Sequence, residues 1–508
     1  MTALKESFSN LLKDIMPVGA GGLFFIQMFS TLGFSVLYST LVLYMTGALG
    51  FQYTTANSIM GVFIAFNFAL HLLGGYFGGR FLTNRTLFCV GMLVQLVGAL
   101  LLMSPTPFML YWGLALFLTG AGLNVTCLNC MVTQLFEPND KRREAAFLWN
   151  YSGMNIGFFV GFSMSGHFQL TGEYGQLFMW SGIGYVGSLA LMMVHWRKLG
   201  DRQTILSRAS SAESLKRGLF GLLLIAIMIP AIHFFTRHAS FSNNLVLVCG
   251  ALMLFCLVML AFKQTVDARR KMFAYLIFAV AALFFWSLYH VQAMGLTLFI
   301  EHNVANTLWG YVIPPQWVQN LNTVVIVIGG PLLSILFRVL RKRGFEISLP
   351  FQFALALVLI GFGFVIMPIG IAWANPEGMT NFNWVIACYI FQSLGELFLG
   401  PIGYAMVGQM APISLQGVMM GTWMMLSGVG GALSHYFSNM MVSDVSSSPL
   451  LTNPSFSHTF GLIGWMAVIA GGVLFLCFPW VYALTYGKSI KEMKKFNKQH
   501  VENQTIGA

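Results

Sequence analysis

Charged side chains are scarce in this sequence. Asp, Glu, Lys and Arg make up only 8% of its 508 residues, against about 25% in soluble domains. So little charge excludes a soluble globule of this size. Acidic residues are the scarcer sign, 16 against 27 basic, and His is excluded from the resulting net charge of +11. Alternation of apolar and polar residues, the mark of a membrane barrel strand, is also missing from the apolar runs. There are seven cysteines, at 89, 127, 130, 249, 256, 388 and 477. All fall inside predicted spans, so no extracellular disulfide framework is expected. The C-x-x-C spacing of Cys127 and Cys130 lies in an apolar helix and reads as small-residue packing. No metal cluster, nucleophile–base pair or phosphate loop is visible, so neither an enzyme nor a cofactor is expected.

What is present is hydrophobic length. Hydrophobic residues make up 57% of the chain, and a span needs roughly 20 of them in succession. Backbone groups in lipid must be bonded within the segment, so the spans are predicted to be helices. Fourteen are predicted, at 20–48, 55–78, 84–104, 108–134, 143–168, 174–196, 217–236, 244–262, 272–299, 315–338, 348–372, 382–411, 415–441 and 458–486. The first apolar run is too long for a cleavable signal and lacks a small-residue cleavage pattern.

Basic residues set the predicted orientation. Arg80, Arg85, Lys141, Arg142, Arg143, the six Lys/Arg of 197–217, four of 263–271, four of 338–343 and the Lys-rich tail after Tyr486 share one side of this layout. Lys5 and Lys13 precede the first span, and Arg237 alone falls opposite. The positive-inside rule makes the populated side cytoplasmic, with both termini inside. Anionic inner-leaflet lipid accounts for the net charge without any nucleic acid partner.

The spans group as six, two and six. Residues 1–196 form a predicted N-terminal six-helix bundle. Residues 197–271 hold a polar, flexible cytoplasmic linker and an inserted hairpin. Residues 272–487 form a second bundle, and 488–508 a cytoplasmic tail. Two related lobes with a midplane site is a known transporter plan.

One segment stands out, Phe391-Gln-Ser-Leu-Gly-Glu396-Leu-Phe-Leu-Gly-Pro401. Glu396 is the only charge near mid-bilayer on this layout. A carboxylate there costs about 2.5 kcal/mol or more, which makes it a functional-site hypothesis. Polar strips accompany it: Trp286, Tyr289, His290 and Gln292; Asn150, Tyr151 and Asn155; Gln319 and Asn322. Buried amides need partners, and so many beside a lone Glu suggest a wet cavity for a polar solute. His71, His167 and His435 read as packing or hydrogen-bonding histidines. The glycines 74, 75, 78 and 79, and 421, 428, 430 and 431, read first as packing and alternatively as rocking contacts between lobes.

These segments resemble the proton-dependent oligopeptide transporter family of the major facilitator superfamily. Phe391–Pro401 with Gly403, Met406, Ala411-Pro412 and Gly417–Trp423 is similar to its F-Q-x-L-G-E-L-F-x-x-P-x-G signature. Tyr151, Gly153 and Asn155-Ile-Gly157 resemble its F-Y-x-x-x-N-I-G segment, Phe285–Tyr289 with Leu298-Phe299 and Asn303-Val304 its span after the hairpin, and Trp317, Gln319, Asn322 and Pro331 the next. The resemblance implies an all-α polytopic membrane protein of major facilitator fold: two six-helix bundles plus an inserted two-helix hairpin, fourteen helices, in a cell inner membrane. It implies alternating access and proton-coupled uptake of di- and tripeptides. Glu396 would receive a substrate amino group, an ammonium–carboxylate contact of the charge-assisted kind. Asn155 and Asn322 would help hold that end, and Tyr151 and Trp423 would line the cavity, with Gln319 and Tyr289 as further contacts.

Departures from the family fall together. Its first-helix E-x-x-E-R positions are Gln27, Ser30 and Thr31, and a further basic position is Tyr38. The fourth-helix lysine is Val125, the loop-two Asp is Gly79, and a span-nine acid is His290. Cations and their acidic partners disappear together, as expected where an unpaired buried charge is costly. The expected substrate is therefore atypical: a neutral or cationic amine- or amide-bearing solute, including a peptide with a modified carboxyl end. Proton-coupling candidates are Glu396, His290 (an imidazole that titrates near neutrality) and Glu301. Expected partners are such a solute, protons and membrane lipid, with the chain a monomer. The alternatives are a proton-independent facilitator or exporter, and a transport-inactive sensor on the same fold.

Overall fold

The structure is a computed structural model that describes residues 20–136, 142–202, 204–308, 310–343, 347–442 and 448–487. Lys5, Lys13, Lys141 and the predicted tail 488–508 lie outside them. The chain divides into two compact units, Met1–Ser242 and Asn243–Ala508. The division falls within the predicted 197–271 insertion.

The first unit holds α1 (Ala20–Leu43), α2 (Tyr53–Phe77), α3 (Asn84–Leu102), α4 (Pro107–Gln134), α5 (Arg142–Thr171), α6 (Tyr174–His195) and α7 (Ser211–Arg237). The second holds most of α8 (Ala239–Phe262), which begins four residues before the boundary, and α9 (Val266–Tyr289), α10 (Gly295–Asn303), α11 (Pro315–Lys342), α12 (Leu349–Ala372), α13 (Phe382–Met410), α14 (Gln416–Met441), α15 (Pro449–Leu476) and the short α16 (Phe478–Tyr486). Four two-residue strands lie between helices, Val304–Ala305 pairing in parallel with Thr380–Asn381 and Thr307–Leu308 antiparallel to Tyr311–Val312. Among the described residues, twelve helices are long and apolar enough to cross a membrane, α9 and α10 counting as one. The two others of that length are α5 and α14. Their polar residues, Asn150, Asn155 and His167 in one and Ser427, Ser434, His435 and Ser438 in the other, lower the hydropathy.

In the first unit, small residues bring α1 against α5. Gly153, Gly157 and Gly161 recur every fourth residue, so they share one helix face. A Cβ on Gly153 would stand 2.5 Å from the Phe24 carbonyl, and one on Gly161 2.9 Å from that of Leu32. Gly157 lies against Met28 and Thr31. Backbone cannot yield as a side-chain tip can. We therefore expect Gly157→Leu to destabilise the fold by about 1–3 kcal/mol through overpacking, read as a lowered Tm of the purified protein.

The predicted flexible linker is instead docked. The Asp201 carboxylate accepts from the Asn84 backbone N–H at 3.1 Å and from Asn84 Nδ2 at 3.1 Å. Arg85 donates to the Trp196 carbonyl at 2.6 Å and lies 4.4 Å over its ring. The Arg202 N–H donates to Gln134 Oε1 at 3.0 Å, and the Leu206 N–H to the Gly79 carbonyl at 2.9 Å. Leu199 and Leu206 are buried. This also explains Gly79. Its φ is +71°, and a Cβ would meet Thr204 Cγ2 at 2.6 Å, so neither backbone nor space suits an aspartate. Asp201 neutralises the positive end of α3, as an acid at a helix N-terminus does. Asp201→Ala should cost about 1 kcal/mol and raise the rate of limited proteolysis between residues 197 and 210.

Each helix of the predicted hairpin makes contacts within its own unit. In the first unit α7 stacks His233 on Trp112, with ring centroids 4.2 Å apart, and Phe235 on Phe66 at 5.3 Å. In the second unit α8 sets Gly250 against Val429, and Tyr436 donates to Asn244.

The predicted span 272–299 is broken. His290–Ala293 is a 3-10 turn and Met294 has φ −129° and ψ −105°. Freed backbone groups are satisfied by side chains, as lipid requires. Thr297 Oγ1 donates to the Gln292 carbonyl at 2.5 Å, and the Gly295 N–H to Ser438 Oγ at 3.2 Å. Gly430 lies against Trp286 and the Ser287 backbone, so the packing reading holds at that glycine.

Candidate functional site

Within the second unit, α9, α11 and α13 bring three of the predicted site residues together. Gly395 lets α13 approach its neighbours; a Cβ there would stand 3.0 Å from the Ala356 carbonyl and 3.1 Å from the Phe285 ring. The next residue, Glu396, is partly buried. Its Oε2 accepts from Asn322 Nδ2 at 2.8 Å, and the Tyr289 hydroxyl donates to the same carboxylate. Asn322 Nδ2 also donates to Ser393 Oγ at 3.0 Å, and Ser393 Oγ donates to the Tyr389 carbonyl at 2.7 Å. A carboxylate is an acceptor with about four lone-pair sites. Neutral donors occupy part of that capacity, and among the described residues no cation forms an ion pair with Glu396. Such a group suits a cationic hydrogen-bond donor.

The remaining predicted residues of this unit have other surroundings. Gln319 lies three residues before Asn322, so the two are neighbours on the helix surface. It is buried, and neither its amide oxygen nor its nitrogen has a hydrogen-bond partner. Trp423 is buried against Tyr275 and Phe353, with Gly403 beneath its indole. His290 is adjacent to Tyr289 in sequence, but its Nε2 meets Ser427 Oγ of α14 at 3.1 Å. The predicted polar strip thus divides: Tyr289 reaches Glu396, His290 reaches Ser427, and Gln292 Nε2 donates to Gln392 Oε1 at 2.6 Å. Glu301 is partly buried on α10. Two residues on, Asn303 Nδ2 donates to Thr452 Oγ1 at 2.7 Å and Asn453 Oδ1 at 2.9 Å.

In the first unit the altered motif positions form their own neutral network. Gln27 Nε2 donates to Thr31 Oγ1 at 2.9 Å, and Asn150 Nδ2 donates to Gln27 Oε1 at 3.3 Å. Ser30 Oγ donates to the Gln27 carbonyl at 2.9 Å. Gln27, Ser30, Thr31, Asn150 and Asn155 are all buried. Asn155 Nδ2 donates to the Tyr151 carbonyl at 2.9 Å, while the Tyr151 side chain is exposed. Tyr38 leans on Phe34 with ring centroids 5.9 Å apart, and Val125 is half-buried.

Ser393, without a predicted role, enters these networks, as does Asn150, predicted only as part of a polar strip. Ser393 stands three before Glu396 on one helix face, a spacing that could have flagged it. Asn150 immediately precedes Tyr151, in the position where the family segment carries Phe.

Known proteins similar to this chain are peptide transporters. It is 27% identical over 472 residues to dipeptide and tripeptide permease A of Chromobacterium violaceum, covering 91% of this chain and 93% of that protein. Against dipeptide and tripeptide permease A of Escherichia coli K12 the identity is 26% over 470 residues, with coverages of 91% and 92%. Among solved structures, a variant of peptide transporter POT in complex with alafosfalin matches with a TM-score of 0.81 at 23% identity, covering 92% of this chain and 96% of that one. A POT family transporter in complex with 5-aminolevulinic acid matches with a TM-score of 0.79 at 22% identity, covering 92% and 97%. The fold is therefore that of the POT transporters, an all-α multi-pass membrane protein. The POT family profile, PTR2, matches residues 84–465, well over half of the sequence. The chain belongs to the POT family, whose members are transporters and not enzymes.

Proposed function

We propose that this chain is a secondary active transporter in which Glu396 binds the amino group of an atypical substrate. The solute is neutral or cationic and bears an amine or amide, such as a peptide whose carboxyl end is modified. Supporting this reading above all is the Asn322–Glu396–Tyr289 cluster, a carboxylate held by neutral donors without a cation. An incoming ammonium adds the opposite charge to it, a charge-assisted contact. The E-x-x-E-R positions are neutral and bonded to one another, so they carry no charge for a peptide carboxylate.

Transport proceeds by alternating access with fourteen spans and both termini cytoplasmic, in keeping with the basic-residue bias. Protons are the coupling ion. Glu396 is then both amine receptor and proton carrier, exchanging one positive partner for another, with Gln319 and Trp423 as further binding residues of its unit; Asn155 and Tyr151 are the binding candidates of the first unit. His290 and Glu301 are the remaining titratable candidates on their span.

A thermal-shift screen of the purified protein against free dipeptides, amines and amidated peptides, repeated on Glu396→Gln, tests the reading. Amines and amidated peptides should stabilise the wild type and not the variant. Hits restricted to free dipeptides would overturn the atypical substrate. Acid-driven accumulation in proteoliposomes separates a symporter from a facilitator.

A further inference from the structure

Within the first unit, one face of α7 and Leu82 enclose a groove of about 560 Å³. Ser211, Ser214, Leu215, Leu219 and Leu222 line it from α7. Their spacings of three and four place them on one helix face. Gly218, also on that face, holds the groove open: a Cβ there would come no closer than 3.8 Å to Leu82. The groove is graded along its length. Hydroxyls stand at the start of α7, and exposed leucines follow them. From Ser211 to Leu222 this gradient covers about 16 Å at 1.5 Å per residue. Cations gather at the polar end. Arg208 directly precedes the lining residue Ala209, and Lys216 and Arg217 lie between Leu215 and Gly218. Glu213, the acid of this turn, is paired with Arg217 at 2.6 Å. Arg208 and Lys216 are exposed and, among the described residues, form no ion pair. From Gly218 to Thr236, α7 carries no Asp, Glu, Lys or Arg.

We propose that this groove binds an anionic phospholipid. Its phosphate lies at the Ser211–Ser214 end beside Arg208 and Lys216, and an acyl chain runs along Leu215, Leu219 and Leu222. An amphiphile is the occupant that matches the gradient. A free anion has nothing to set against the exposed leucines. A zwitterionic lipid brings a cation of its own to the end where Arg208 and Lys216 already stand. Long basic side chains rest their stems on apolar surface and keep the charge at headgroup level, and basic pockets at membrane helices on the cytoplasmic side take anionic headgroups. On the proposed orientation the lipid comes from the inner leaflet, the one rich in anionic species.

The test is native mass spectrometry of the purified full-length protein, stripped of lipid in detergent and then offered equal amounts of dioleoyl-phosphatidylglycerol and dioleoyl-phosphatidylcholine. The wild type should retain the anionic lipid about tenfold over the zwitterionic one, as a pair of cations near a headgroup confers. Arg208→Gln with Lys216→Gln should abolish that preference. Gly218→Leu should fill the groove and lower retention of both lipids about tenfold. Its Cβ has room and leucine is the better helix former, so the fold survives this change. Glycerol 3-phosphate, a headgroup without chains, should not displace the lipid. Displacement by it would make the groove a site for a free anion, and a dimer that Gly218→Leu dissociates would make it an interface between copies of the chain. Either result overturns the proposal, as does equal retention of the two lipids by the wild type, or retention that ignores either set of substitutions. Detergent micelles have no sides, so failure here leaves the proposed orientation and the transported solute untouched.

Discussion

Glu396→Gln is expected to lower uptake of an amine-bearing substrate into proteoliposomes by about 100-fold. A hydrogen bond to a charged group contributes about 1.5–3 kcal/mol, and each 1.4 kcal/mol is tenfold in an equilibrium constant. Glutamine keeps the volume and one acceptor oxygen. It can still take the Asn322 Nδ2 bond now made at 2.8 Å, so the fold should survive the change. What it loses is the negative charge, and with it both the attraction for an ammonium and the ability to carry a proton. A merely structural carboxyl, neutral and hydrogen-bonded between helices, would behave differently: Gln would replace it with little effect on uptake. Asn322→Ala should be milder, about tenfold, because it removes one neutral donor and leaves the charge in place.

The second large effect is predicted where the family's charges are missing. Thr31→Arg alone should destabilise the protein by about 3–5 kcal/mol, the cost of an unpaired buried charge. Thr31 is buried and accepts from Gln27 Nε2. Gly157 packs against its Cβ, and among these neutral groups a cationic side chain has no partner. Restoring the acidic partners at the same time, as Gln27→Glu, Ser30→Glu and Thr31→Arg together, should recover most of the lost Tm. The triple variant should also bind alanyl-alanine better than the wild type does. If Thr31→Arg alone leaves Tm unchanged, joint neutralisation is not what holds these positions neutral.

The helices were legible in the sequence because hydropathy and length are properties of single segments. The first is predicted at 20–48 and is helical from Ala20 to Leu43, continuing as a π-helical turn over Tyr44–Ala48. Features made by contacts between segments were not legible. The break at Met294 has no proline to announce it, and its freed groups are met by Ser438, more than a hundred residues away. The linker's composition reads as flexible, but Asp201 finds the α3 N-terminus 117 residues earlier. At the site, Glu396, Asn322 and Tyr289 were each singled out, since an isolated charge and amides in apolar helices are conspicuous. Their meeting, and the pairing of Asn150 with Gln27, depends on helix packing set by glycines such as 157 and 395. In sequence those glycines signal close approach without naming the partner.

The most direct measurement compares calorimetric affinities for alanyl-alaninamide and its N-acetylated form, in the wild type and in Glu396→Gln. Acetylation removes the ammonium from the ligand as Glu396→Gln removes the carboxylate from the protein. The wild type should prefer the free amine by about 100-fold, the value of a charge-assisted contact. The variant should bind the two forms alike. A variant that keeps the full preference for the free amine would contradict the assignment of Glu396 as the amine receptor.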